Sequence, residues 1–141
     1  MKIVFDSSVW IAGIGSQTGF ASEAIYNCYK NEKIEIFISE RIMDEVEINL
    51  EKKLKFDKNL ARNARRIIRN LCDFAIEIKS TEEKAIKCLD YEKDRHVLVL
   101  CKKIRADYLI TFDRKHLLPI RQFEKTEILE PKDFVEVIKD D

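Results

Sequence analysis

Two hydrophobic segments of this chain each end at an aspartate, and this repeated pattern constrains the fold more than any other feature. The first runs from Lys2 to Phe5 and is followed by Asp6; the second runs from Tyr108 to Phe112 and is followed by Asp113. Short continuous apolar runs are typical of strands buried on both faces of a parallel sheet. Ligands bind beyond the carboxyl ends of such strands, so neighbouring strands would bring both carboxylates to one functional edge. Carboxylates placed together repel each other unless a cation or shared protons compensate.

Elsewhere the apolar pattern alternates between strand and helix periods. Further strands are predicted at residues 34–38, 74–79 and 126–129, and helices at 20–31, 40–50, 57–73, 93–104 and from Pro131 onward. Ser39 is predicted to cap the second helix, Ser80 or Thr81 a short helix with Ala85, Ile86 and Leu89, and a turn is predicted at 114–118. The polar segment from Gly13 to Gly19 is predicted to be a loop. This alternation predicts an α/β fold, a three-layer α/β/α sandwich with a central parallel sheet, in one domain of residues 1–141.

Composition excludes several classes of protein. The 26 basic and 26 acidic residues balance, so bulk charge favours neither a nucleic-acid nor a membrane partner. The sequence contains no apolar run that could span a bilayer and no visible signal peptide, which predicts a cytoplasmic protein. The cysteines are scattered without metal-ligand spacing and are expected to be buried free thiols: Cys28, Cys72, Cys88 and Cys101.

Other carboxylates are ambiguous by pattern alone. Asp94 lies in the first turn of its predicted helix, where a capping or dipole role would explain it, but it is also in line with the buried stripe. In the helix after Ser39, periodicity does not choose among Asp44, Glu45 and Glu47. Asp6 and Asp113 have a simpler interpretation too, as turn residues that bond their own backbone. The joint pattern of acids at two strand ends and one helix start favours a site.

Four segments, in order along the chain, strongly resemble the PIN-domain nucleases, which include toxins of bacterial and archaeal toxin–antitoxin pairs. The segments are Val4-Phe5-Asp6-Ser7-Ser8, Ser39 to Val46, Asp94-Arg95-His96-Val97-Leu98, and Ala106 to Asp113. Individually each segment is weak as a signature, but together they are fairly specific. The resemblance covers nearly the whole chain.

The resemblance implies that the four acidic site residues are Asp6, Glu45, Asp94 and Asp113. Of these, Asp6, Asp94 and Asp113 would coordinate Mg²⁺ or Mn²⁺, and Glu45 would complete the cluster. Ser8 and Thr111 would orient water or a carboxylate. A set of oxygen ligands suits a hard cation better than zinc.

Four further residues near these positions bear on the predicted site. Phe112 stands where many family members carry a small residue, which could narrow the site. Asp90 competes with Asp94 for the third acidic position, although the residues after Asp94 match better. His96 could be imagined as a general base, but it and His116 are more typical of structural or solvent-facing histidines, and the predicted site excludes both.

One basic segment is a candidate RNA-binding surface. Residues 52–69 contain eight basic residues and one acidic residue, and five of the basic residues recur at helical spacing: Lys58, Arg62, Arg65, Arg66 and Arg69. They lie opposite an apolar stripe formed by Leu60, Ala64, Ile67, Ile68 and Leu71. Such a face can bind phosphates in a salt-dependent manner. A solvated helix face, or a docking surface for an acidic partner, explains the same pattern.

The resemblance implies a metal-dependent endoribonuclease that leaves a 5′-phosphate and a 3′-hydroxyl. The resemblance further implies a toxin restrained by an antitoxin protein, and a homodimer. The alternative is a non-catalytic module with the same fold that binds RNA or docks a protein. An aspartyl phosphatase is disfavoured because Ser8 stands where that class needs a second Asp. A DNA flap nuclease would need a longer chain with additional acids.

Overall fold

A computed structural model of the protein describes residues 1–84 and 94–139. Its strands are β1 Lys2–Phe5, β2 Glu35–Ser39, β3 Phe74–Ile76, β4 Tyr108–Ile110, β5 Gln122–Phe123 and β6 Thr126–Leu129. Its α-helices are α1 Ser7–Gly15, α2 Phe20–Tyr29, α3 Glu40–Lys52, α4 Lys58–Leu71, α5 Ser80–Lys84, α6 Arg95–Ile104 and α7 Pro131–Lys139. A short 3₁₀ helix covers Leu118–Ile120. In the described ranges, none of the helices combines the length and the apolar character that crossing a bilayer would require.

The six strands form one sheet in the order β3-β2-β1-β4-β6-β5. Every neighbouring pair is parallel except β5 with β6, which is antiparallel. The most extensive contacts between helices lie within two groups, α1 to α4 with α7, and α5 with α6, while side chains of α3 also reach α5 and α6. The predicted α/β class with helices around a largely parallel sheet is therefore confirmed. The antiparallel edge strand β5 was not predicted, since two residues are too few to produce an alternating pattern.

Strands β1 and β4 lie side by side at the centre of the sheet. Phe5 pairs with Ile110, so the residues that follow both strands emerge at the same edge. Val4, Phe5 and Leu109 have no exposed surface, as the continuous apolar runs predicted. The edge formed by the carboxyl ends of β1 and β4 therefore directly follows fully buried core residues.

Helix α1 corrects the predicted loop from Gly13 to Gly19, because Gly13 and Gly15 both belong to the helix. A Cβ added at Gly13 would lie 2.8 Å from Cδ1 of Ile25 in α2. The missing side chain thus allows α1 and α2 to pack closely. Glycine serves here for close approach and does not break the helix.

The other local predictions hold with shifted limits. Ser39 caps α3, since its Oγ accepts a hydrogen bond of 3.2 Å from the backbone N–H of Ile42. The third strand ends at Ile76, three residues before the predicted limit. Cys28, Cys72 and Cys101 are buried free thiols, as expected. Several predicted features lie outside the described residues: the helical positions Ala85, Ile86 and Leu89, the thiol of Cys88, the acid Asp90 and the helix start at Lys93.

Candidate functional site

Asp6 follows β1 directly and is almost fully buried, with 5% of its surface exposed. It is the N-cap of α1, and its Oδ1 accepts a hydrogen bond of 3.3 Å from the backbone N–H of Val9. Ser8 Oγ donates to the same oxygen at 2.5 Å, and Thr111 Oγ1 donates to Oδ2. The turn interpretation is therefore correct, and Asp6 also receives hydrogen bonds from both residues predicted to orient a carboxylate.

The hydroxyls of Ser8 and Thr111 connect the ends of β1 and β4. Ser8 Oγ accepts a hydrogen bond of 3.2 Å from the backbone N–H of Phe112. Thr111 Oγ1 accepts one of 3.0 Å from the backbone N–H of Asp113. Because each hydroxyl donates to Asp6 while accepting from the loop after β4, the position of Asp113 is fixed relative to Asp6.

Asp94 and Asp113 are hydrogen-bonded to each other through their carboxyl groups. Asp94 occupies the N-cap position of α6, yet its side chain makes no capping hydrogen bond. Asp113 Oδ1 accepts hydrogen bonds from the backbone N–H groups of Lys115 and His116, at 3.0 and 2.9 Å. The proximity of Asp113 also contributes to the raised pKa of Asp94. A capping role alone therefore does not explain Asp94.

The environment raises the pKa of two of these acids. Burial raises the pKa of Asp6 to about 6, against the lowering effect of the hydrogen bonds from Ser8 and Thr111. Burial, the hydrogen bond to Asp113 and the nearby charges of Asp6 and Glu45 raise the pKa of Asp94 to about 7. Burial is thus the main cause of both pKa shifts, and the neighbouring carboxylates at this edge of the sheet raise the pKa values further.

The contacts of Asp44, Glu45 and Glu47 on α3 distinguish these three acids, which helical periodicity could not do. Asp44 and Glu47 face α4, where their carboxylates lie 2.6 and 3.7 Å from the guanidinium of Arg65. Glu45 faces the other way, and its Oε1 lies 2.6 Å from Nε2 of His96 on α6. The negative charge of Glu45 acts on Asp6 and Asp94, so all four predicted acids lie in one cluster.

His96 is a site neighbour that the sequence analysis excluded. Its side chain has no exposed surface, and the five consecutive residues from His96 to Leu100 are all buried. In the described part of the chain, neither ring nitrogen has a hydrogen bond of good geometry. A buried polar group without a partner costs roughly 1–3 kcal/mol. A histidine within a helix buried on all sides needs a polar neighbour, and that requirement was the available signal.

The donor set fits a hard divalent cation. Within residues 1–84 and 94–139, no three His, Cys, Asp or Glu side chains already converge on a common metal position. Mg²⁺, however, typically binds one or two carboxylates and keeps several waters, so a complete protein cage is not required. A cation beside Asp94 and Asp113 would relieve the repulsion between carboxylates that contributes to the raised pKa of Asp94.

The basic residues of α4 differ in their surroundings. Arg65 is held by α3, with Glu40 and Asp44 each 2.6 Å away, while Arg69 donates to the backbone carbonyl of Cys72 at 3.3 Å. Lys58, Arg62 and Arg66 are exposed. The predicted apolar stripe opposite them is only partly buried, since Leu60 and Ile67 are 49% and 61% exposed. Charge pairing thus separates Arg65 from the exposed cations.

Comparison with known proteins identifies a family. Residues 2–115 match the PIN domain. The fold is similar to the crystal structure of VapC20 from Mycobacterium tuberculosis, a toxin that cleaves the sarcin-ricin loop. That match has 14% sequence identity and a TM-score of 0.65, and it covers 89% of this chain and 98% of VapC20. At this level of sequence identity, the comparison shows only that the two folds are similar. Among curated proteins no match was found.

Proposed function

Because the chain belongs to the PIN-domain family, we propose that it is a metal-dependent endoribonuclease that hydrolyses RNA phosphodiester bonds. The observation that carries the proposal is the cluster of Asp6, Glu45, Asp94 and Asp113 at the carboxyl edge of the sheet. Clusters with strongly raised pKa values are typical of functional sites. The toxic RNA cleavage named for the structurally similar VapC20 supports RNA as the substrate class.

In this proposal, Asp6, Asp94 and Asp113 hold Mg²⁺ or Mn²⁺, with Glu45 completing the acidic cluster. The bound cation supplies neutralisation of the phosphate charge and an activated water. Ser8 and Thr111 keep the Asp6 carboxylate in one orientation by donating hydrogen bonds to its two oxygens. Mutation of orienting partners of this kind typically lowers metal affinity about 10- to 100-fold.

Protonation of Asp94 competes with binding of a cation, because a carboxyl must be deprotonated to act as a metal ligand. Since the pKa of Asp94 is about 7, cation binding and cleavage are expected to strengthen as the pH rises through neutrality.

RNA would contact the exposed cations of α4. Lys58, Arg62, Arg66 and Arg69 are exposed on that helix. Arg65 belongs to the original RNA-binding set, but its ion pairs with α3 support a structural role for it. Exposed, unpaired cations contribute most to salt-dependent phosphate binding.

We further propose that the chain acts in the cytoplasm as the toxin of a toxin–antitoxin pair. Its partners would be an antitoxin protein and a second copy of the chain in a homodimer. The comparison with VapC20, a toxin, supports this biological role. Co-expression with the protein encoded by a small neighbouring reading frame would test the pairing through rescue of cell growth.

A second candidate is a non-catalytic module that binds RNA or docks a protein. It is favoured by one observation: in the described ranges, no three potential ligands converge as they stand. RNA binding without cleavage in Mg²⁺ and Mn²⁺ would support this alternative.

The decisive experiment is cleavage of single-stranded RNA in Mn²⁺ by the wild-type chain and by Asp6→Asn and Asp94→Asn. Both substitutions keep the size of the side chain and remove a charge that the proposal assigns to the cation. We expect cleavage by the wild type and a loss of at least about 100-fold in each variant, since direct ligands are removed. Equal cleavage by all three proteins would reject the assigned site.

A further inference from the structure

The Glu45 carboxylate differs from the other acids of the cluster in how it is held. Asp6 and Asp113 accept hydrogen bonds from backbone amides, and Asp94 is bonded to Asp113. The Glu45 carboxylate instead contacts Nε2 of His96, at 2.6 Å.

The imidazole of His96 is a buried polar group that needs a partner. Its Nε2 lies 2.6 Å from Oε1 of Glu45, although in the described part of the chain neither ring nitrogen has a hydrogen bond of good geometry. Leaving such a group unpaired costs roughly 1–3 kcal/mol, and the Glu45 carboxylate is the polar group beside it. His96 is completely buried on a helix whose neighbouring residues are core, so the ring has a fixed position.

Glu45 needs such a partner because its surroundings push it away from the cluster. Its side chain is long and 30% exposed, so water is within reach. The neighbouring carboxylates of Asp6 and Asp94 carry the same charge and lie close enough to be affected by it. Repulsion and hydration together favour rotamers of Glu45 that point outward.

We propose that His96 is a positioning residue, whose buried imidazole, 2.6 Å from the Glu45 carboxylate, holds that carboxylate at the acidic cluster. Helix α6 then contributes twice, through Asp94 at its start and through His96 two residues later. The inference rests on the proposed function, because the orientation of Glu45 matters to activity only if the cluster binds a divalent cation.

The first test measures Mn²⁺ affinity by electron paramagnetic resonance in folded His96→Leu, His96→Gln and Val99→Ala chains. His96→Leu removes the donor, and its affinity is expected to fall about 10- to 100-fold. His96→Gln keeps an N–H donor and is expected to recover most of that loss. Val99→Ala perturbs the same buried helix without touching Glu45, so its affinity should match the wild type. Affinity of His96→Leu within about twofold of wild type would overturn the inference.

A second test asks whether His96 acts through Glu45. In a Glu45→Gln background, His96→Leu is expected to cause no further loss of Mn²⁺ affinity or of kcat. Losses that multiply in the double variant would show that His96 acts independently, and would overturn the inference. The inference would also be overturned if His96→Leu lowered the melting temperature without changing Mn²⁺ affinity or kcat.

Imidazole NMR provides a readout that needs no substitution in the core. In ¹⁵N-labelled protein, the Nε2 resonance of His96 should move or broaden between the wild type and Glu45→Gln, because the imidazole contacts that carboxylate. A resonance indifferent to Glu45→Gln would contradict the positioning role even if every His96 variant failed to fold.

Failure of this inference is distinguishable from failure of the nuclease proposal. A wild-type chain that neither binds Mn²⁺ nor cleaves RNA would overturn both. A chain that loses Mn²⁺ binding in Asp94→Asn but not in His96→Leu would overturn the positioning role alone.

Discussion

Thr111, at the end of β4, donates a hydrogen bond from its hydroxyl to the carboxylate of Asp6, at the end of β1. The two residues are 105 positions apart in sequence, and both are buried. This contact connects the two aspartate-terminated strands at their carboxyl edge, where the proposed cation would bind.

We expect Thr111→Val to reduce RNA cleavage about tenfold or more, because Asp6 loses one of the donors that orient it. The buried carboxylate also loses a favourable partner, so stability should fall by about 1–3 kcal/mol. Thr126→Val is the matched control, since buried Thr126 donates to the carbonyl of Ala106 away from the cluster. It should lower stability to a comparable extent and leave cleavage per folded molecule unchanged. Equal effects of both substitutions on cleavage would argue against orientation of Asp6.

Stability of the metal-free protein should fall as the pH rises from about 3 to about 8. The pKa values of Asp6 and Asp94 are raised from 3.8 to about 6 and about 7 in the folded state. The folded chain therefore binds more protons than the unfolded chain between these limits, which makes the slope of unfolding free energy against pH negative. For Asp6 alone the effect is roughly 3 kcal/mol. Urea denaturation in EDTA measures it, and Asp6→Asn should flatten the curve.

A divalent cation should reverse this loss of stability above pH 7. At a Mn²⁺ concentration of 100 times the dissociation constant, binding to the folded state alone adds about 2.7 kcal/mol. Thermal denaturation at pH 8 with Mn²⁺ and then with excess EDTA measures the effect. Asp94→Asn should show little stabilisation by Mn²⁺. A wild-type melting temperature indifferent to Mn²⁺ would count against a cation site.

The basic residues of α4 should separate into two classes by substitution. In an Asp6→Asn chain, which should leave RNA intact, Arg62→Gln with Arg66→Gln should reduce the salt slope of RNA binding by roughly one to two. Stability should change by less than about 0.5 kcal/mol, since both residues are exposed. Arg65→Gln should show the reverse, because it breaks the ion pairs with Glu40 and Asp44. Binding titrations across salt concentrations and urea denaturation measure the two effects. A larger change in the salt slope for Arg65→Gln than for the Arg62 and Arg66 substitutions would contradict the prediction.

Asp57 should stabilise α4 without any part in metal binding. Its side chain accepts a hydrogen bond of 2.8 Å from the backbone N–H of Leu60, as an N-cap does. Asp57→Ala should cost about 1 kcal/mol, and Asp57→Asn should cost much less because it keeps the acceptor. Urea denaturation provides the measurement. Any change in Mn²⁺ affinity in Asp57→Ala would place α4 closer to the cluster than the structure does.

The strand-end acids could be predicted from local pattern because a buried parallel strand has a simple signature. Val4 to Asp6 and Leu109 to Asp113 carry that signature, and neighbouring parallel strands then bring their ends together. Periodicity could not select Glu45, because Glu45 and Glu47 lie on the two flanks of the apolar stripe and Asp44 lies more nearly outward. The distinction comes from what each acid faces, Arg65 on α4 or His96 on α6, and only the folded chain supplies these neighbours.

Other features were missed for reasons that are local and physical. Gly13 has the composition of a loop residue, but its function is to let α2 approach α1. His96 was excluded because most histidines near a helix start face solvent, whereas this helix is buried on all sides near its start. Strand β5 depends on a hairpin with β6 and has no period of its own.

The placement of the acids along the chain has a consequence for biosynthesis. Residues 6, 45, 94 and 113 come from four different elements, and the last of them follows β4, which pairs beside the very first strand. A ribosome-bound chain that has not yet released β4 lacks a complete set of acids. The proposed hydrolytic activity would therefore be absent from a product truncated before residue 113.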